Sequence, residues 1–253
     1  MQLVLWTALG VGGATVIGAG LGFLFRNISH RFSDIVLSFA AGVMLAAAVF
    51  GLILPSLEVQ SGKWSVLVTI AGVFLGAACI NLMDKLVPHL HRLSGVEEEL
   101  HPEQTTRLNR VLLFVMAIAI HNLPEGIAAG VGFGTGDTNG ALLIAGGIAL
   151  QNIPEGMVII APMLAAGMGR GRTFLIALMT GVVEVVGTLL GYFAVQLSTA
   201  ILPLALAFAG GTMLYVISDE MIPETHAHGS QRGATYALLI GFCLMLVFDT
   251  LLG

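Results

Sequence analysis

The chain has 253 residues, of which 57% are hydrophobic and only 10% are charged, and its mean hydropathy is +0.95. A soluble domain of this size needs far more polar side chains to cover its surface, so the composition excludes a soluble globular protein and predicts a single integral membrane unit over residues 1–253. The formal net charge of -5 is less informative than the positions of the charged residues.

Apolar segments recur along the whole chain, and each is long enough to cross a hydrocarbon core of about 30 Å as a helix. Eight such helices are predicted, at 3–25, 34–54, 64–83, 111–133, 140–163, 173–195, 199–221 and 234–252. The first segment has no basic stretch before it and no clear cleavage site after it, so we interpret it as a retained helix and not as a signal peptide. The longest connection, about residues 84–110, is predicted to be a loop between the third and fourth helices.

The basic residues predict the orientation of these helices. Nine of the ten Lys and Arg residues fall in alternate connections, and only Lys63 falls in the opposite set. The positive-inside rule therefore places the loop at 84–110 in the cytoplasm and both termini outside. We expect a multi-pass protein of the plasma or inner membrane, surrounded by lipid and with no nucleic-acid partner.

The two ends of the chain resemble each other. A shift of 169 residues aligns helices 1–3 with helices 6–8, and it places FAAGVML (39–45) on FAGGTML (208–214). Because the aligned helices cross the membrane in opposite directions, this predicts an inverted repeat in a 3+2+3 arrangement, and transporters often have such repeats. Gly18 and Gly22 align with Gly187 and Gly191, and we expect these glycines to allow close helix packing.

Helices 4 and 5 lie between the two repeats and carry similar hexapeptides, HNLPEG (121–126) and QNIPEG (151–156). In each hexapeptide the first and fifth residues are i and i+4, so they share one helix face. The asparagine is the second residue and lies toward a neighbouring face of the helix. Two antiparallel helices packed on these faces would bring together an imidazole, two carboxylates and three amides. Each proline also removes an intrahelical hydrogen-bond donor, which is tolerated at membrane depth where the backbone lines a wet cavity.

Glu125, Glu155 and Glu184 are all predicted to lie near the bilayer midplane, where no Lys or Arg is available. An unpaired carboxylate there costs about 2.5–3.5 kcal/mol on insertion scales, so a proton or a bound divalent cation must compensate each charge. Imidazole and carboxylate together suit zinc and similar divalent metals, and Met44 at the same depth can add a thioether. The alternative is a proton-coupled carrier or channel that uses the same buried acids.

The paired hexapeptides resemble the signatures of the ZIP (Zrt-, Irt-like protein) metal-ion transporters, and the resemblance covers the entire chain. It implies transport of zinc, or in some members iron, manganese or cadmium, toward the cytoplasm by alternating access in a protein that is generally dimeric. It also implies two metal sites between helices 4, 5 and 6. The first would comprise Met44, His121, Glu125, Gln151 and Glu155, and the second Asn122, Glu125, Asn152, Glu155 and Glu184.

One departure from the family pattern concerns the second site. Some family members carry an aspartate where this chain has Asn152, so the second site has one negative charge fewer and is expected to bind metal more weakly. Because the metal is the cargo, no resident cofactor is predicted. An enzyme is not predicted either, since the His-Glu-x-x-His motif of an intramembrane metalloprotease does not occur in the sequence.

A second group of polar residues is predicted on the cytoplasmic side. Carboxylates and imidazoles crowd the end of helix 7 and the loop before helix 4, where they would receive or sense the released metal. These candidate exit or regulatory residues are Asp219, Glu220, Glu224, His226, His228, His89 and His91.

Overall fold

The computed structural model describes residues 1–24, 29–60, 62, 64–93, 116 and 119–252, and of residues 84, 86–93 and 252 it describes the backbone alone. Throughout these ranges the secondary structure is helical, with no strand. Among the described residues, seven segments are long and apolar enough to cross a membrane. The protein is therefore an all-helical, multi-pass membrane protein.

The helices are numbered in chain order. Helix α1 spans Gln2–Leu24, α2 begins at His30 and ends at Glu58, and α3 spans Ser65–Leu93. Helix α4 is described over 119–132, within the fourth predicted segment. Helix α5 comprises Thr138–Val158 and, after a turn at Ile159, Ile160–Ala165. Helix α6 spans Arg170–Leu197, α7 spans Leu202–His226 after a short 3-10 turn, and α8 spans Gln231–Leu252.

Polar caps mark where helices begin at the membrane surface. The Ser29 side chain accepts a hydrogen bond from the Phe32 amide at the start of α2. The Asp137 side chain accepts one from the Asn139 amide at the start of α5, directly after Gly136, whose φ of 81° lies in the left-handed region. Such caps satisfy amides that have no intrahelical partner, so they fix the beginnings of α2 and α5.

The predicted loop at 84–110 is wrong over its first ten residues, because α3 continues through Leu93. Its Ser65–Met83 portion is long and apolar enough to span the membrane. The prediction used hydropathy, which shows where a chain leaves the hydrocarbon and not where backbone hydrogen bonding ends. The remainder of the predicted loop lies outside the described residues, as does the start of the fourth predicted segment, so the count of eight helices stays a prediction.

Helix packing follows the 169-residue offset found in the sequence. Helix α3 packs along α7, and α8 packs along α2. Because the offset aligns α3 with α8 and α2 with α7, these two contacts are equivalent. Helices α2 and α7 also share a π-helical stretch at matching positions, Ala47–Ile53 and Ile217–Met221. Gly12 and Gly181, which the offset aligns, face each other so closely that a Cβ on either would overlap the backbone oxygen of the other. The two halves therefore meet at these glycines.

The aligned glycine pairs have the packing role predicted for them. Gly18 and Gly22 of α1 lie against the backbone of Ile153 and Met157 in α5. Gly187 and Gly191 of α6 lie in the same way against α4, at Leu123 and Ile127. Helix α1 thus holds α5, and α6 holds α4, with backbones in direct contact, which places the two hexapeptides at the centre of the molecule.

Large apolar side chains cover the outside of the helix bundle. Phe74 is 71% exposed, Leu197 88% and Leu251 74%. In water such exposure would be strongly unfavourable, whereas hydrocarbon solvates these side chains. The polar residues with the least exposure lie inside, and they include six of the eight predicted metal ligands.

Candidate metal centre

The two hexapeptides of α4 and α5 do converge. His121, Asn122 and Glu125 from α4 are buried, as are Gln151 and Asn152 from α5. Glu184 of α6 is fully buried beside them, and Glu155 is half-buried. Helix α5 continues through Pro154, so the proline does not break the helix, and the interruption comes later at Ile159.

Hydrogen bonds join the amides to the carboxylates. The Gln151 Nε2 donates to Glu125 Oε1 at 2.7 Å, which links α5 to α4. The Asn152 Nδ2 donates to Glu184 Oε2 at 2.7 Å, and the Asn122 Nδ2 donates to Glu184 Oε1. In each case the amide nitrogen faces the carboxylate, so the amide oxygen is left over.

Several buried acceptor atoms consequently have no hydrogen-bond partner within the protein. They comprise three amide oxygens, one carboxylate oxygen and one imidazole nitrogen: Asn122 Oδ1, Gln151 Oε1, Asn152 Oδ1, Glu125 Oε2 and His121 Nε2. Buried polar atoms are nearly always paired, because an unpaired one costs about 1–3 kcal/mol. The four oxygens, which lie on neighbouring helix turns beside the His121 nitrogen, indicate that a cation or water completes their environment.

Glu220 joins the site from α7. Its Oε1 lies 2.6 Å from the His121 Nε2, yet neither atom has a partner with hydrogen-bond geometry. The two atoms form a close ion-pair contact without a well-directed hydrogen bond. The sequence predicted Glu220 as an exit or regulatory residue, and the structure places it against the first hexapeptide.

A cavity of about 500 Å³ leads to this site from the end of α7. His121, Glu125 and Glu155 line its inner part, and Asp219, Glu220 and Glu224 line the part formed by α7. A separate cavity of about 370 Å³ lies between Glu58, Asp137 and Asp249, and none of the predicted metal ligands lines it. Three of the predicted ligands thus line the first cavity, and none lines the second.

Met44 differs from the other predicted ligands. It is buried in an apolar cluster with neighbours from α2, α5 and α7, and it does not line the cavity. As positioned, no three His, Cys, Asp or Glu side chains among the described residues form a group able to hold a metal. A metal here therefore needs the amide oxygens, or a small movement of side chains, in addition to His121, Glu125 and Glu155.

The remaining exit candidates lie apart from the site. His228 Nδ1 contacts the buried Asp34 Oδ1 at 3.1 Å, and its ring stacks on His30. The ring nitrogens of His226 lie within hydrogen-bond distance of the Ile222 carbonyl and the Thr235 hydroxyl. The side chains of His89 and His91 lie outside the described part of the structure.

Sequence reasoning missed two residues near these groups. Thr15 of α1 donates to Glu184 Oε1 at 2.7 Å, and it is the residue that the 169-residue offset aligns with Glu184. Asp34 was not predicted as a partner of His228. The 169-residue offset aligns Thr15 with Glu184 and could have pointed to it. The two residues differ, however, and a search for repeats relies on identical residues.

Comparison with known proteins identifies the family of the chain. The sequence model of the family described as ZIP zinc transporter matches residues 85–249. Zinc transporter GufA of Myxococcus xanthus is 41% identical over 247 residues, which cover 96% of this chain and 96% of that protein. Zinc transporter ZIPB of Bordetella bronchiseptica is 41% identical over 245 residues, with 95% and 78% covered.

A third relative extends the comparison. Zinc transporter ZupT of Chlorobaculum parvum is 35% identical over 250 residues, which cover 93% of this chain and 92% of that protein. The family consists of transporters and not of enzymes, which confirms the prediction that this chain is not an enzyme. The family match spans well over half of the sequence, and the relatives align along nearly all of it. The chain belongs to the ZIP family, in its bacterial type.

Proposed function

We propose that this protein transports divalent transition-metal ions, zinc first among them, across the membrane through the site between α4, α5 and α6. The observation that carries the proposal is a set of four buried oxygens on the two hexapeptides that have no hydrogen-bond partner and that a cation would satisfy: Asn122 Oδ1, Glu125 Oε2, Gln151 Oε1 and Asn152 Oδ1. The relatives are named as zinc transporters, and imidazole with carboxylate and amide oxygen is a donor set that zinc accepts.

The direction of transport is part of the proposal. The cavity to the site opens at the end of α7, which the positive-inside rule assigns to the cytoplasm. Glu58, Asp137 and Asp249 line the second cavity, on the side assigned to the exterior, where their charges would attract cations. Alternating access would open the second cavity to the site as the first one closes. The predicted 3+2+3 arrangement of eight helices would permit such a movement.

The imidazole and the carboxylates of the site must be deprotonated to bind metal, so protons compete with the cargo. Lower pH at the loading side is therefore expected to weaken zinc binding.

The homodimer implied by the resemblance stays a prediction.

Zinc uptake by liposomes that contain the purified protein tests the proposal. His121→Ala combined with Glu125→Ala removes the imidazole and one carboxylate, so saturable uptake should fall to the level of empty liposomes. The matched control is Ser56→Ala with Thr69→Val. It removes two buried hydrogen bonds of 2.8 Å, one between the two hydroxyls and one from Ser56 to the Pro203 carbonyl, and should leave uptake close to that of the unaltered protein.

The decisive comparison uses folded protein, judged by monodisperse elution and thermal unfolding. Equal zinc uptake with and without His121 and Glu125 would sink the proposal. If the double variant instead abolished a proton flux that zinc does not influence, the proton carrier or channel would become the better interpretation of the buried acids.

A further inference from the structure

Glu184 is held more completely than any other carboxylate of the site. Its Oε1 accepts from Thr15 Oγ1 and Asn122 Nδ2, and its Oε2 accepts from Asn152 Nδ2. A carboxylate offers roughly four acceptor positions, so these three donors occupy most of them. Glu184 is also fully buried, and it is absent from the lining of the cavity.

The three donors come from three different helices, and the fold brings them there through glycines. Gly126 of the first hexapeptide allows α4 to pack directly against the backbone oxygen of Glu184. Gly156 of the second hexapeptide seats α5 on the backbone oxygen of Thr15 in the same manner. Thr15 and Glu184 are thus equivalent positions of the two repeats, each packed against the glycine of one hexapeptide, and they bond to each other.

This arrangement has a consequence for metal binding. A second ion bound by Glu184 would need lone pairs directed at it from Glu184 and the two asparagines. The asparagines instead direct N–H groups at the carboxylate, and an amide N–H is not a metal ligand. With an aspartate in place of Asn152 that N–H would be lost and a negative charge gained, so the asparagine determines which interaction forms.

We propose that Thr15 is a positioning residue of the metal site, and that Thr15, Asn122 and Asn152 together hold Glu184 as a hydrogen-bonded counter-charge so that the site takes one divalent cation. This inference rests on the proposed function, and it reduces the two metal sites implied by the family resemblance to one. The single ion is bound by His121, Glu125 and Glu155 with amide oxygens. Glu184 acts on it through the asparagines, whose oxygens it leaves free.

The number of ions is tested by equilibrium dialysis of the purified protein against zinc, followed by elemental analysis. Because exposed histidines can also bind zinc, the relevant number is the difference between the unaltered protein and His121→Ala/Glu125→Ala. A difference of one ion per chain is expected, and a difference of two would overturn the inference. No difference at all would instead overturn the proposed function, so the two failures are distinguishable.

Asn152→Asp tests the reason for the single ion. It replaces the N–H by a carboxylate oxygen. The amount of bound zinc that is lost on adding His121→Ala/Glu125→Ala should then rise to two ions per chain. If Asn152→Asp still bound a single ion, the amide would not be the cause and the inference would fail. Should that variant not fold, Asn122→Asp makes the same change at the other donor to Glu184.

Thr15→Val tests the positioning role, since valine keeps the shape and lacks the hydroxyl. Its dissociation constant for zinc should rise at least about tenfold, as is typical when a group that orients metal ligands is lost. The absorption spectrum of bound Co²⁺, which reports ligand geometry, should change as well. Thr15→Ser restores the donor and should restore both. Unaltered affinity and spectrum in Thr15→Val would show that Thr15 only fills space.

Discussion

At the scale of single residues, Glu125 shows how an amide prepares a buried carboxylate for a cation. One oxygen accepts from Gln151 Nε2, which fixes the carboxylate, and the other oxygen has no partner. Gln151 in turn keeps its own oxygen free beside it. Each side chain therefore orients the other, and each retains a lone pair for a metal.

Gln151→Leu removes both functions while nearly keeping the side-chain volume. Zinc affinity should fall about ten- to a hundredfold, because an orienting partner and an oxygen donor are lost together. Isothermal titration of zinc into the purified variant would measure this. The control is Thr212→Val, which removes a buried hydroxyl that bonds within its own helix, to the Ala209 carbonyl. Equal losses in both variants would contradict a specific role for Gln151.

At the scale of helices, glycines set how closely the elements approach. Helix α5 contains two glycines that allow the effect of close helix packing to be separated from the effect of helix propensity. A Cβ at Gly156 would overlap the Thr15 backbone oxygen of α1, whereas a Cβ at Gly146 would meet nothing within 4 Å. Both glycines lie inside α5, so alanine should favour the helix itself at either position by about 0.5–1 kcal/mol.

Gly156→Ala should therefore push α5 away from α1, lower the thermal stability and abolish saturable zinc uptake. Gly146→Ala should keep uptake and leave stability unchanged or slightly higher. Thermal unfolding and liposome uptake of the two variants measure both effects. Normal uptake by Gly156→Ala would mean that the close contact at Thr15 is not needed for the site.

The same elements show what the sequence could and could not predict. Hydropathy placed the apolar segments well, because membrane spanning requires a long apolar stretch whatever its neighbours are. It misplaced the end of α3, since a helix does not stop where polarity begins. The i to i+4 spacing brought His121 and Glu125 to one face, as observed. The contact of Glu220 with His121 joins residues 99 positions apart, which no local pattern reports.

At the scale of the whole molecule, the two cavities bear on the proposed direction of transport. The first connects the metal site to the end of α7, and the second stops short of the site on the opposite side. A buried layer that includes Ala46, Ile144 and Ile148 belongs to the apolar core near the second cavity. An ion at the site could leave along α7, while its entry would require this layer to open.

Single cysteines in the two cavities make that direction measurable, in a background in which Cys79 and Cys243 are replaced by alanine. Val158 lines the cavity to the metal site, and Val59 lines the second cavity. A membrane-impermeant thiol reagent applied to intact cells should label Val59→Cys and spare Val158→Cys. After the membrane is permeabilised, both should react, and zinc should slow the labelling of Val158→Cys because an ion at Glu155 narrows the same cavity. If Val158→Cys alone were labelled in intact cells, the orientation would be opposite to the predicted one, and so would the direction of transport.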